Sequence, residues 1–138
     1  MLCNRDNAKV VDAWLKNTPV GFYAIEYAWK KGEHPKRGEF SPDFFIKQGD
    51  RVFVVEIKGD EEINDPWPEN VKKYESAAEH FQRLNAWLQQ EGNMTRYQFN
   101  MLRPKDYGKF FTQLRVKELS GFRSELDVAM ARAAGTTN

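Results

Sequence analysis

The sequence predicts an α/β domain: a small mixed sheet flanked by helices. Four stretches, Phe22–Lys30, Phe44–Ile46, Val52–Ile57 and Arg96–Leu102, either alternate apolar and polar residues or run as short β-branched blocks, as strands do. Four others, Asn4–Lys16, Glu69–Gln90, Asp106–Val116 and Glu118–Arg132, repeat apolar residues at helical spacing. Their order is helix, three strands, helix, strand, helix, helix. At 138 residues the chain is one domain, long enough for a real core.

In chain order, Asn4–Lys16 sets Ala8, Val11 and Leu15 on one helical face behind an Asn4 or Asp6 cap. After the Thr18-Pro19 break, Phe22–Lys30 puts Tyr23, Ile25, Tyr27 and Trp29 on one strand face and Phe22, Ala24, Glu26 and Ala28 on the other. Lys31–Glu39 (KGEHPKRGE) reads as a loop in which Lys30, Lys31, Lys36 and Arg37 surround His34 and Pro35. It is either a patch in which Lys31, Lys36 and Arg37 contact nucleic-acid phosphates without reading sequence, or an ordinary polar turn.

Phe40–Glu62 (FSPDFFIKQGDRVFVVEIKGDEE) reads as a hairpin around a Gln48-Gly49-Asp50 turn. Its second run is apolar almost throughout, which suggests a strand buried on both faces and makes the charges at its end conspicuous. Glu56 and Lys58 are two apart and share a face, while Ile57 points to the other. Hairpin pairing brings Asp43, at the mouth of the first strand, beside them. Two carboxylates with the backbone carbonyl of Ile57 form a hard oxygen site suited to Mg²⁺ or Mn²⁺, and Lys58 can hold an attacking water and offset phosphoryl charge. Taken alone, Glu-x-Lys is as readily a surface ion pair with a snorkelling lysine.

Past Lys58, the acidic Gly59–Glu62 run and the Pro66-Trp67-Pro68 segment read as a loop, with Trp67 open between stacking on a base and covering the core. Glu69–Gln90 is the strongest helix and Gly92 its stop. His80 on it reads as packing or polar surface. Arg96–Leu102 alternates as the fourth strand, Asp106–Val116 turns Phe110, Phe111 and Leu114 inward, and Leu119, Phe122, Leu126 and Met130 line a tail helix. That helix either packs on this domain or docks an absent one.

Pro42-Asp43, twelve residues, then Glu56-Ile57-Lys58 resembles the signature of the PD-(D/E)XK nuclease superfamily. The wider stretch, from GFYAIEYAWKKGEHPKRGEFSPDFF through VVEIKGDEE to KKYESAAEHFQRLNAWL, YQFNMLRPKDY and FFTQLR, resembles the C-terminal nuclease domain of certain DEAD/DEAH-box helicases, including relatives of the type III restriction subunit. The resemblance spans about Val10 to Arg115. It implies a restriction-endonuclease-like core, with a four-stranded sheet, over about residues 5–116, and a C-terminal helix over about 117–134. It also implies a Mg²⁺- or Mn²⁺-dependent DNA endonuclease with Asp43, Glu56 and Lys58 as catalytic residues. Lys73, at the start of the long helix, stands where relatives place a phosphate-binding lysine or tyrosine. Nucleases of this kind often carry a further metal-binding acid on their first helix. Asp6 and Asp12 read better as a cap or solvated face, and Glu26 is the second-line candidate, against a plain solvent-facing position.

Lys+Arg 21 against Asp+Glu 20 leaves a net charge of +1, so bulk electrostatics do not announce a nucleic-acid binder. The single Cys3 excludes disulfides and a cysteine-based structural zinc, and fits a reducing cytoplasm. Neither a membrane span nor a signal peptide is evident. No Walker-type loop is present. The expectation is therefore a fragment of a larger helicase-nuclease in restriction or phage defence, partnered by DNA and by a helicase or translocase domain, with a homodimer for duplex cleavage. The contrasting expectations are a non-catalytic nucleic-acid-binding or interaction module that keeps the fold, and RNA as the substrate.

Overall fold

The computed structural model describes residues 12–16, 25–31 and 34–136. In chain order the strands are β1 (Ala13–Lys16), β2 (Ile25–Lys31), β3 (His34–Phe40), β4 (Phe44–Gln48), β5 (Arg51–Ile57) and β6 (Arg96–Leu102). The helices are α1 (Pro68–Gln90), α2 (Tyr107–Arg115) and α3 (Glu125–Thr136), with 3-10 turns at Asp60–Glu62 and Pro104–Asp106. The molecule is mixed α/β, built on a four-stranded mixed sheet of order β1-β4-β5-β6 with helices against it.

The hairpin forms as the sequence predicts. β4 and β5 pair antiparallel from Gln48↔Arg51 to Phe44↔Val55 around Gly49-Asp50. Gly49 takes a φ of +59°, which costs a residue without Cβ little. Phe53, Val54, Val55 and Glu56 are buried in succession, so β5 is covered on both faces. β6 lies parallel to β5, with Ile57↔Leu102 at the far end. Parallel neighbours need a crossover, and α1 supplies it, running back from the carboxyl end of β5 to the amino end of β6.

Each sheet face has its own layer. Val54 packs with Ala77 and Phe81 of α1 and with Ile25, and Phe81 stacks on Tyr97 and Phe99 at centroid distances of 5.8 and 6.2 Å. On the other face Ile46, Phe53, Val55 and Leu102 meet Phe110, Phe111 and Leu114 of α2, together with Leu119. α3 joins Leu126 and Met130 to Val71 and Met101, so the tail helix packs on this domain. Each fully buried side chain of this size contributes about 1.5–3 kcal/mol over leaving it in water.

Four expectations need correction. The described part of the Asn4–Lys16 helix is strand: Ala13–Lys16 pairs antiparallel with Phe44–Lys47. The outer edge of β4 carries unpaired backbone groups, and satisfying them outweighs weak local helical spacing. Residues 4–11 lie outside the described residues. Second, the strand predicted at Phe22–Lys30, described from Ile25, is not a member of the four-stranded sheet; it pairs with β3 as a separate two-stranded ribbon, and β1 takes the fourth place. Third, Lys31–Glu39 is no loop, because His34–Phe40 is β3, paired from Lys31↔His34 to Ile25↔Phe40. Pro35 is tolerated because a two-stranded ribbon is all edge.

Fourth, the C-terminal helix begins at Glu125 instead of near residue 117. Lys117 and Gly121 both take positive φ, which breaks a helix there, although Leu119 still packs in the core. Ser124 starts α3 by accepting at Oγ from the Asp127 N–H (2.9 Å), while Asp127 accepts from the Ser124 N–H (2.9 Å). That reciprocal pair is a capping box.

Candidate active site

One end of the sheet gathers the chemistry. β5 and β6 are parallel and finish there, β4 begins there, and α1 and α2 both start there. The space beyond the carboxyl ends of parallel strands is where α/β sheets commonly take ligands.

Asp43 immediately precedes β4. Its Oδ2 accepts from the Ile57 N–H at 2.8 Å, which fastens it across the end of β5. The next backbone donor, Lys58 N–H, turns the other way, to Leu102 O at 2.9 Å. In an extended residue the N–H and C=O point to the same side, so the Ile57 carbonyl lies on the Asp43 side, as the sequence-predicted oxygen set requires.

Glu56 shares its strand parity with Val54 and so belongs to the face that α1 covers. It is only 6 % exposed, and its carboxyl is pushed up to about 8. Burial is the largest cause, followed by the hydrogen-bonding contact with Asp43 and the charge of Asp43; Lys58 and Lys73 pull the other way. Asp43, Glu56, Lys58 and Lys73, which the sequence places 30 residues apart from first to last, therefore form one electrostatic group. The neighbouring Lys72 is engaged elsewhere, with Glu75 at 3.0 Å.

Two carboxyls in contact cannot both stay ionised without a cation or a shared proton between them. With the Ile57 carbonyl they make an all-oxygen donor set, and such a set fits Mg²⁺ or Mn²⁺ with water filling the remaining positions. The group stops at two acids: among the described residues no three His, Cys, Asp or Glu side chains are arranged to hold a metal ion. Glu26 lies on β2 opposite Glu39. Its neighbour Ile25 packs with Val54, which sets the start of β2 on the sheet face that bears Glu56, but the Glu26 side chain lies outside the described residues.

The other candidates fall away from this centre or outside the description. Lys31, Lys36 and Arg37 lie on the β2–β3 ribbon, with side chains outside the described residues. Asp6 is outside them too. Asp12 is exposed and is not a helix cap: its Oδ2 accepts from the Gly49 N–H at 2.8 Å and ties the β1 entry to the hairpin turn. Trp67 does not cover the core, being 65 % exposed. His80 packs edge-on to Phe81, with centroids 4.9 Å apart.

Sequence reasoning gave no role to Tyr107, the first residue of α2. Its phenol is pushed up by burial and by the nearby Asp43 carboxylate. No local motif marks it. Only the topology, which ends β6 beside β5, brings it there. Buried Glu62 was likewise read as part of a plain acidic loop, yet it accepts from the Trp67 N–H (3.0 Å) and Asn70 Nδ2 (2.7 Å) and so fastens the start of α1.

Comparison with protein-family models, with curated proteins and with solved structures finds no match to this chain in any of the three. Among the described residues, no helix is long and apolar enough to cross a membrane.

Proposed function

We propose that this domain is a metal-dependent nuclease of the PD-(D/E)XK kind, hydrolysing phosphodiester bonds in DNA. The observation that carries the reading is the buried Glu56 carboxyl, raised to about 8 against Asp43 and flanked by Lys58 and Lys73 at the open end of β5. A fold gains no stability from two touching acids at the end of a buried strand, so their placement asks for a ligand.

Asp43 and Glu56, with the Ile57 carbonyl, would hold Mg²⁺ or Mn²⁺. When bound, such an ion supplies Lewis acidity toward a phosphoryl oxygen and lowers the pKa of water. Lys58, half-buried one residue beyond β5, orients the attacking water and opposes the charge that grows on the phosphoryl oxygens. Lys73 binds the phosphate from the first turns of α1, whose N-terminal end also favours an anion. The resemblance extends the reading to an ATP-driven helicase or translocase as a partner in DNA defence.

The second reading, a nucleic-acid-binding or interaction module that keeps the fold, is favoured by one observation: the described acids number two at this centre, without a third. Incubating supercoiled plasmid with Mg²⁺ or Mn²⁺ separates the two readings. The wild-type chain is expected to nick or linearise it, Asp43→Ala to lose at least ~10³-fold in rate, and Lys58→Ala a comparable amount. Equal cutting by wild type and Asp43→Ala would assign the activity elsewhere, and a folded wild type that neither cuts nor binds metal would leave the module reading.

A further inference from the structure

Among the described residues no strand lies beyond β6, so one side of β6 is an edge of the sheet. The Arg96 N–H donates to Asp50 O at 2.8 Å, and Leu102 O accepts from the Lys58 N–H at 2.9 Å, so the even-numbered residues of β6 turn their backbone groups toward the β5 side. Alternate residues of a strand turn the other way, which sets the N–H and C=O of Tyr97 and Met101 on the outer edge. An edge of seven residues that includes Tyr97, Phe99 and Met101 is a template on which another strand can pair.

Tyr97 and Met101 are satisfied without such a strand. Asn85, half-buried on α1, accepts at Oδ1 from the Tyr97 N–H (2.8 Å) and donates through Nδ2 to Tyr97 O (2.9 Å). One carboxamide thus makes the pair of bonds that a directly opposed residue makes in an antiparallel ladder. Four residues on, the Met101 N–H donates to Asp127 Oδ1 (2.8 Å) and the Met101 carbonyl accepts from Ser124 Oγ (2.6 Å). Asp127 and Ser124 also start α3, whereas both amide bonds of Asn85 go to Tyr97. Asparagine is a weak helix former, so the helix itself gives no reason for one at this position.

We propose that Asn85 guards the β6 edge: its carboxamide stands where the peptide of a fifth strand would stand, and it keeps β6 from pairing with β6 of a second copy of this chain. A two-fold contact between identical edges is self-complementary, the same residues meeting from both sides, so an open β6 edge carries its own partner. The role depends on the sheet edge alone and not on how Asp43 and Glu56 are used.

The test follows mass by sedimentation over a wide range of concentration, and amide exchange in dilute solution, for wild type, Asn85→Ala and Asn85→Lys. Both variants lose the carboxamide, but the lysine sets on the edge a charge that a pairing strand would have to bury. The Tyr97 amide is expected to exchange about 10-fold faster in both variants while the Met101 amide keeps its rate. Asn85→Ala should gain mass with concentration beyond wild type, and Asn85→Lys should match wild type. An Asn85→Ala chain with the mass of wild type throughout overturns the guard. So does equal association of both variants, since lost stability would then account for it, and so does a Tyr97 amide that exchanges at the wild-type rate.

Discussion

Glu56 and Asp127 are both buried acids set against the same sheet, and their surroundings differ in kind. Asp127, 1 % exposed, accepts from Asn100 Nδ2 (2.6 Å), the Met101 N–H (2.8 Å) and the Ser124 N–H (2.9 Å). Burial still raises its carboxyl, but all of these bonds lower it, and their work is to lock α3 onto β6. Glu56 is nearly as well enclosed. Among the described residues its carboxyl has one hydrogen-bonding neighbour, and that neighbour is another acid, Asp43. A buried acid surrounded by donors is structural; a buried acid turned toward another acid awaits a proton or a cation.

Substitution should separate the two most sharply in stability. Asp127→Ala removes the capping box and takes the acceptor from the Met101 N–H and from one of the two Asn100 Nδ2 bonds, costing on the order of 4 kcal/mol in urea or thermal unfolding. Glu56→Gln should cost little at pH 6 and stabilise by as much as a few kcal/mol at pH 8, because the amide carries no charge to bury. If Glu56→Gln proved as damaging as Asp127→Ala, the contrast would collapse.

A smaller effect sharpens the contrast through pH. The Glu56 carboxyl stands at about 8 in the fold against 4.5 as an ordinary glutamate, so between those values the folded chain retains a proton that the unfolded chain has lost. Protons bound in the native state exceed those in the unfolded state, and stability therefore falls as pH rises from about 4.5 to about 8. Melting temperatures of wild type and Glu56→Gln across that window should diverge, the wild type declining more steeply. Parallel curves would show that Glu56 titrates normally.

The readable and unreadable parts of the chain divide along physical lines. The hairpin was legible because β-branched runs around Gln48-Gly49-Asp50 state their pairing locally, and Asp43, Glu56 and Lys58 follow from that register. α1, α2 and β6 were legible from periodicity to within a residue or two. β1 was misread because four residues paired to a sheet edge follow backbone demand, not side-chain period. β3 was hidden by Pro35 and its charges, which an edge ribbon tolerates. The start of α3 could have been found, since Ser124-Glu125-Leu126-Asp127 has the capping-box spacing; helical periodicity through Leu119 and Phe122 masked it. Tyr107 could not have been, because its place depends on β6 ending beside β5, 45 residues earlier in the chain.

The central claim is that Asp43 and Glu56 share a place built for a divalent cation, and proton release tests it most directly. Mn²⁺ binding at pH 7, measured by calorimetry in two buffers of different ionisation heat, should release about one proton per cation from wild type and none from Glu56→Gln. Binding without proton release, equal release from both proteins, or no binding by folded wild type would contradict it.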